Sequence, residues 1–111
     1  MINRFNTIET LKKHKHIHMI GIGGISMSGI AEILRGWGLH VTGSDGIRSK
    51  ITDKLSSHGI HVSIGHNTSL VEKSDLVVYS AAIKEDNLEL TTAREKGITT
   101  VERSDFVRLF N

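Results

Sequence analysis

Gly21, Gly23 and Gly24 stand in the stretch HMIGIGGISMSGIAEIL, between an apolar run and a helix-like pattern. Glycine at such points lets the backbone turn tightly and come close to a ligand. The first N–H groups of the helix that follows lack internal partners and carry the positive end of its dipole. Together these make an anion site, typically for a pyrophosphate. Ser26 and Ser28 bring hydroxyls to the same turn. One position departs from the dinucleotide pattern G-x-G-x-x-G. The third glycine, which permits close helix–strand packing, is replaced by Ser26, and this weighs against a nicotinamide cofactor. Asp45 closes TGSD about 20 residues on, where a carboxylate reaches a ribose hydroxyl. Read blandly, the glycines form a turn that only starts a helix, and Asp45 is a turn aspartate before Gly46.

The remaining polar residues divide into one candidate and several ordinary ones. His66 follows Gly65 at a predicted strand end, where it serves as a ligand contact or a loop cap. His14, His16 and His18 alternate along HKHIH and could share a face, but no carboxylate lies near them in sequence, so no metal site is expected. His40, His58 and His61 are expected to face solvent. Ser80 lacks the elbow motif and a paired base, so it is read as shaping its loop and not as a nucleophile. The charges of KEDNLE and REKG read as solvated helix faces. No catalytic residue is assigned. A G-x-x-x-x-G-K-[ST] loop is absent, so no ATP site is expected in these residues.

The elements that must position these groups follow from a repeat. LRGWGLHV, LSSHGIHV and AREKGITTV each read as a helix end, a glycine and a short β-rich run. Gly38, Gly59 and Gly97 are placed for the left-handed conformation just past a helix. Strands are predicted over 16–22, 40–44, 60–64, 75–80 and 98–101. Helices are predicted over 24–37, 49–58 and 88–96, with a helical turn at 69–73. Met27, Ile30, Leu34 and Trp37 fall on one helical stripe and read as core. Ser104 is read as the cap of a final helix. The fold class is therefore α/β, a Rossmann-like parallel sheet of about five strands with helices on both faces. Ligands bind such sheets at the carboxyl ends of the strands, which here are the loops 21–28, 44–48, 64–68 and 80–87.

Bulk properties remove several classes. The 111 residues suit one domain, divided here into a basic lead-in, 1–15, and a nucleotide-binding unit, 16–111. Residues 1–20 carry Arg4, Lys12, Lys13 and Lys15 against Glu9 alone, on an otherwise near-neutral chain. With no base-stacking motif among the aromatics, nucleic acid is not expected as a partner. Nor is a membrane, since no apolar run approaches the ~20 residues needed to cross one. The absence of cysteine removes disulfides and thiolate chemistry and fits a cytoplasmic protein.

Read together, HMIGIGGISMSGIAEIL, GLHVTGSD, GIHVSIGHN, DLVVYSAAIKEDNLEL and AREKGITTVERSDF resemble, in order, the N-terminal domain of a bacterial Mur ligase. The resemblance runs from about Ile17 to Phe110 and is closest to the alanine-adding branch. It implies an enzyme that joins L-alanine to the lactyl carboxylate of UDP-N-acetylmuramate, with ATP and Mg²⁺, through an acyl phosphate. The N-terminal domain would hold the UDP part, with ATP and the amino acid held by central and C-terminal domains. The 111 residues would then bind UDP-N-acetylmuramate without catalysing ligation alone. By matching position, Gly21, Gly23, Gly24, Ile25 and Ser26 would face the diphosphate. Met27 and Ser28 would begin the helix as part of the same set, and Ser44 and Asp45 would lie near the uridine. His66, Ser80, Ala81, Ala82 and Ile83 would line the rest. The alternatives are a NAD-type dinucleotide domain, the related ligase that recycles murein peptide, and a regulatory domain that has kept the fold without the ligand.

Overall fold

The computed structural model describes residues 16–108, so the basic lead-in, with His14, lies outside the described residues. Five strands, β1 (His16–Ile20), β2 (His40–Asp45), β3 (His61–Ile64), β4 (Leu76–Tyr79) and β5 (Thr99–Glu102), form one sheet in the order β3-β2-β1-β4-β5. Every pairing is parallel. The helices are α1 (Ile25–Gly36), α2 (Lys50–Ser57), α3 (Thr68–Lys73), α4 (Leu88–Glu95) and α5 (Arg103–Arg108). This is the doubly wound arrangement expected from the alternating pattern, and each predicted element is found within a few residues of its place.

β1 is central and buried along its whole length, so both of its faces must be covered. Ile17 and Met19 point to one side. There they join Val41, Leu76 and Val78 under Met27, Ala31 and Leu34 of α1, Leu55 of α2 and Phe106 of α5. Ile20 and Val77 point to the other side, under Val71 of α3 and Leu90 and Ala93 of α4. The predicted stripe on α1 holds: Met27 and Leu34 are buried, and Ile30 and Trp37 pack against the same core.

Local chemistry sets the element ends. Gly38, Gly59 and Gly97 all take positive φ after their helices, as the repeat predicts. Ser49 and Thr52 cap α2 reciprocally, each hydroxyl accepting from the other residue's N–H, at 3.2 and 2.8 Å. Asn67 and Asn87 cap α3 and α4 through their side-chain oxygens. The final helix differs from expectation. Ser104 lies inside its first turn, and Glu102 does the capping, with Oε2 accepting the Ser104 N–H at 2.9 Å. Glutamate is a less usual cap, which is why the serine looked the better candidate.

Gly43 on β2 lies directly beneath Ile22. A Cβ there would come within 2.4 Å of Ile22 Cδ1 and 2.7 Å of Ile22 Cβ. The second of these atoms is close to the backbone and cannot swing aside. Gly43→Ala is therefore expected to cost about 1–3 kcal/mol, the usual range for overpacking a filled core. A urea denaturation curve unchanged from that of the parent chain would show that Ile22 yields more easily than its packing implies.

Candidate functional site

The loop after β1 is held by β2 at two levels. The N–H groups of Gly21 and Ile22 both donate to the Ser44 carbonyl, at 2.9 and 3.0 Å. Gly23 N–H donates to Asp45 Oδ2 at 2.8 Å, and Asp45 Oδ1 accepts from Ile47 N–H at 3.1 Å. Gly21 has φ +81, and a Cβ there would meet Ser80 Oγ at 3.0 Å. At Gly23 a Cβ would sit 2.7 Å from Asp45 Oδ2. Both positions require glycine for contacts with the neighbouring loops. The tight packing expected at position 26 falls instead at Gly21, Gly23 and Gly43. Ser26 itself is exposed, so its side chain crowds nothing.

Gly24 is the N-cap of α1 and offers no side chain, and the first turn has no acidic residue. Among the described residues, the N–H groups of Ile25, Ser26 and Met27 have no hydrogen-bond partner. α2, α3 and α4 are all capped by side chains, so the bare end of α1 is distinctive. Arg103 adds a cation beside it: Nη1 donates to Ser26 Oγ at 3.1 Å.

These loops surround a cleft of about 400 Å³ at the carboxyl end of the sheet. Of the residues singled out from sequence, the fold brings Gly21, Gly24, Ser44, Asp45, His66, Ser80, Ala82 and Ile83 onto its wall. Gly23 stays on the loop that borders it, and Ile25 and Ser26 stand in the first turn of α1, Ile25 lining the groove between α1 and α2. Met27, Ser28 and Ala81 are elsewhere. The Met27 side chain is buried against the sheet with Ala31 and Leu34, because it occupies the inward position of the first helical turn. Ser28 Oγ donates to the Ile25 carbonyl at 3.0 Å and faces a separate groove between α1 and α2. Ala81 is exposed off the cleft.

Glu89 also lines the cleft, and the expectation that its segment is solvated fails there, since its side chain is wholly buried. Its Oε2 pairs with His66 Nδ1 at 3.0 Å and its Oε1 with His18 Nε2 at 2.5 Å. His18 Nδ1 lies 2.8 Å from Thr42 Oγ1, and His16 Nε2 lies 2.7 Å from the same oxygen. His16 Nδ1 ends the chain 3.2 Å from the Lys73 carbonyl. Burial pushes the Glu89 carboxyl up, but hydrogen bonds from His18, His66 and Ser44 outweigh it and hold the group below its ordinary range. Burial, then the stacked His40, push the His16 imidazole down. Among the described residues, no set of three metal-ligating side chains converges.

The family model "Mur ligase family, catalytic domain" matches residues 16–110. The chain belongs to the Mur ligase family. A UDP-N-acetylmuramate–L-alanine ligase of Clostridium botulinum (strain Kyoto / Type A2) is 50% identical over 103 residues, 93% of this chain and 22% of that protein. The crystal structure of the UDP-N-acetylmuramate–alanine ligase MurC of Thermotoga maritima superposes with a TM-score of 0.81 at 33% identity, over 86% of this chain and 22% of that one. A murein peptide ligase of Psychrobacter arcticus follows at 0.76 and 28%, over 84% and 20%. This Mur ligase chain thus spans about a fifth of the length of its relatives.

Within the Mur ligase sheet, sequence reasoning missed Glu89, Asn87 and Arg103. Asn87 lines the cleft while capping α4, and the motif N-x-E after a turn is the trace of that cap. Arg103 leaves no local signal, because it reaches Ser26 from the far end of the chain. His16 and Glu89, whose values are both lowered, contribute to the acid response. A lowered folded pKa means that the unfolded chain binds the proton first. His16 therefore contributes stability that is complete above 6.5 and is lost as the pH falls from there through its lowered value. Glu89 contributes stability that is lost lower, below 4.5. The urea midpoint is expected to fall in two stages on acidification. A midpoint that stays level just below 6.5 would overturn this account of His16.

Proposed function

We propose that this chain is the UDP-binding part of a ligase that joins L-alanine to UDP-N-acetylmuramate with ATP and Mg²⁺. The observation that carries this reading is the uncapped N-terminus of α1, beside Arg103, at the mouth of a cleft walled by the loops after β1, β2, β3 and β4. Unpartnered N–H groups and a guanidinium suit a diphosphate. The rest of the cleft, with Asp45, His66, Ser80, Ala82 and Ile83, suits a nucleoside: apolar walls with a few polar groups. The C. botulinum relative, named for this reaction at 50% identity, supports the alanine-adding activity over murein-peptide ligation. ATP and Mg²⁺ are assigned to central and C-terminal domains of the parent enzyme, and these domains are the chain's partners. The setting proposed is the cytoplasm. Among the described residues no helix is long and apolar enough to cross a membrane.

Isothermal titration of the chain with UDP-N-acetylmuramate, UDP and NAD tests the reading. Heat is expected with both UDP compounds and none with NAD. Binding of NAD without a response to UDP would overturn it. Ser26→Asp supplies a sharper test, because two effects of opposite sign are expected. A carboxylate in the first turn of α1 should stabilise the helix by roughly 0.3–1 kcal/mol through the dipole. The same charge should weaken UDP binding by repelling the diphosphate. Undiminished affinity in that variant would remove the α1 terminus from the site.

A further inference from the structure

His16, Thr42, His18 and Glu89 form an unbroken line from the Lys73 carbonyl to the cleft, and donors can be counted along it. It contains four contacts: Lys73 O to His16, His16 to Thr42, Thr42 to His18, and His18 to Glu89. Each needs one hydrogen. Both ends, a carbonyl and a carboxylate, only accept. Two neutral imidazoles and one hydroxyl supply three hydrogens. With three, one contact would set two lone pairs face to face in a buried site, a costly arrangement. A fourth proton completes the line. It falls within the His18–Glu89 pair, whose contact is the short one at 2.5 Å, and not on His16, whose imidazole burial and the adjoining His40 push down. The other ionisable groups around the line are Asp75, which accepts the His16 backbone N–H, and His66.

This balance bears on His66. Glu89 Oε2 accepts, so His66 must donate through Nδ1. Among the described residues Nε2 of His66 has no partner, and the ring lines the cleft. We propose that Glu89 is a positioning residue: its buried carboxyl, held at Oε1 by His18, fixes His66 through Oε2 with Nδ1–H inward and Nε2 turned to the cleft as a hydrogen-bond acceptor. His66 then recognises a donor on the ligand, a hydroxyl or an imide N–H, and not a phosphate oxygen. The assignment of that ligand to a UDP-sugar rests on the function proposed above, whereas the orientation of His66 does not.

The test is nitrogen-15 NMR of the histidine side chains in this chain, with and without UDP-N-acetylmuramate, at neutral pH. The ring nitrogen shifts distinguish the two neutral tautomers from imidazolium. The parent chain is expected to show His66 as the Nδ1–H form before ligand is added. In Glu89→Gln, whose amide can donate to one ring and accept from the other, His66 should lose that single form and affinity for UDP-N-acetylmuramate should fall about tenfold, ~1.4 kcal/mol. A purely structural role for Glu89 would leave the His66 tautomer unmoved. An Nε2–H form of His66 in the parent chain overturns the proposal, even if the variant fails to fold. An unchanged His66 spectrum in Glu89→Gln also overturns it. The expected spectra in a chain that ignores every UDP compound would overturn the UDP reading alone.

Discussion

β1 and β4 lie side by side and point the same way, yet the chain leaves them for opposite faces of the sheet. From β1 it passes into α1, which packs with α2 and α5. From β4 it passes into α4, which packs with α3 on the other side. Right-handed crossovers force this divergence, because successive strands run outward to β3 in one direction and outward to β5 in the other. The two loops part as they leave the sheet, and the cleft is the gap between them. Site residues from four separate segments therefore meet without any segment needing unusual length. The glycines of the first loop let it stay close to Ser44 and Asp45 while it turns away.

The same topology buries β1 on both faces, and this gives its two histidines their character. On an edge strand they would be solvated. In the centre of a parallel sheet each ring nitrogen needs a partner, and Thr42, Glu89 and the Lys73 carbonyl provide them. Stability alone does not explain such a line. Replacing a buried ion pair with apolar residues of similar volume is often neutral or stabilising. The carboxylate of Glu89, however, stands at the cleft wall and touches His66, which is half exposed there. The line thus links the centre of the sheet to the surface of the cleft through Glu89 and His66.

Much of this was legible in the sequence, for identifiable reasons. The β–α alternation came from three helix–glycine–strand repeats, and the cleft loops came from the rule that parallel sheets bind ligands at strand ends. Burial of single polar residues was not legible. KEDNLE has the composition of a solvated surface, and only the start of α4 at Leu88 turns Glu89 inward, while Glu85 and Asp86 stay exposed in the turn before it. The available hint was His18 inside the apolar run HIHMIGI, since a histidine buried there requires a carboxylate or hydroxyl from elsewhere. Met27 carried two readings: family matching set it among the site residues at the start of the helix, while its place on the stripe with Ile30, Leu34 and Trp37 read it as core, where its side chain is found.

Two carboxylates on the wall of a cleft read as anion-binding look contradictory until their partners are counted. Asp45 accepts from two loop N–H groups, Gly23 and Ile47, so its charge is taken up by the backbone that shapes the loop. Glu89 is wholly buried and has one oxygen engaged by His18 and the other by His66. Neither is left to repel a phosphate at full strength. The uncompensated potential at the cleft mouth comes from the first N–H groups of α1 and from Arg103. Glycine at position 23 is then required by Asp45: a Cβ there would sit 2.7 Å from Oδ2 and displace the carboxylate from the loop N–H groups that hold it. Position 26 carries no such constraint, and this is why a serine can stand where the dinucleotide pattern has its third glycine.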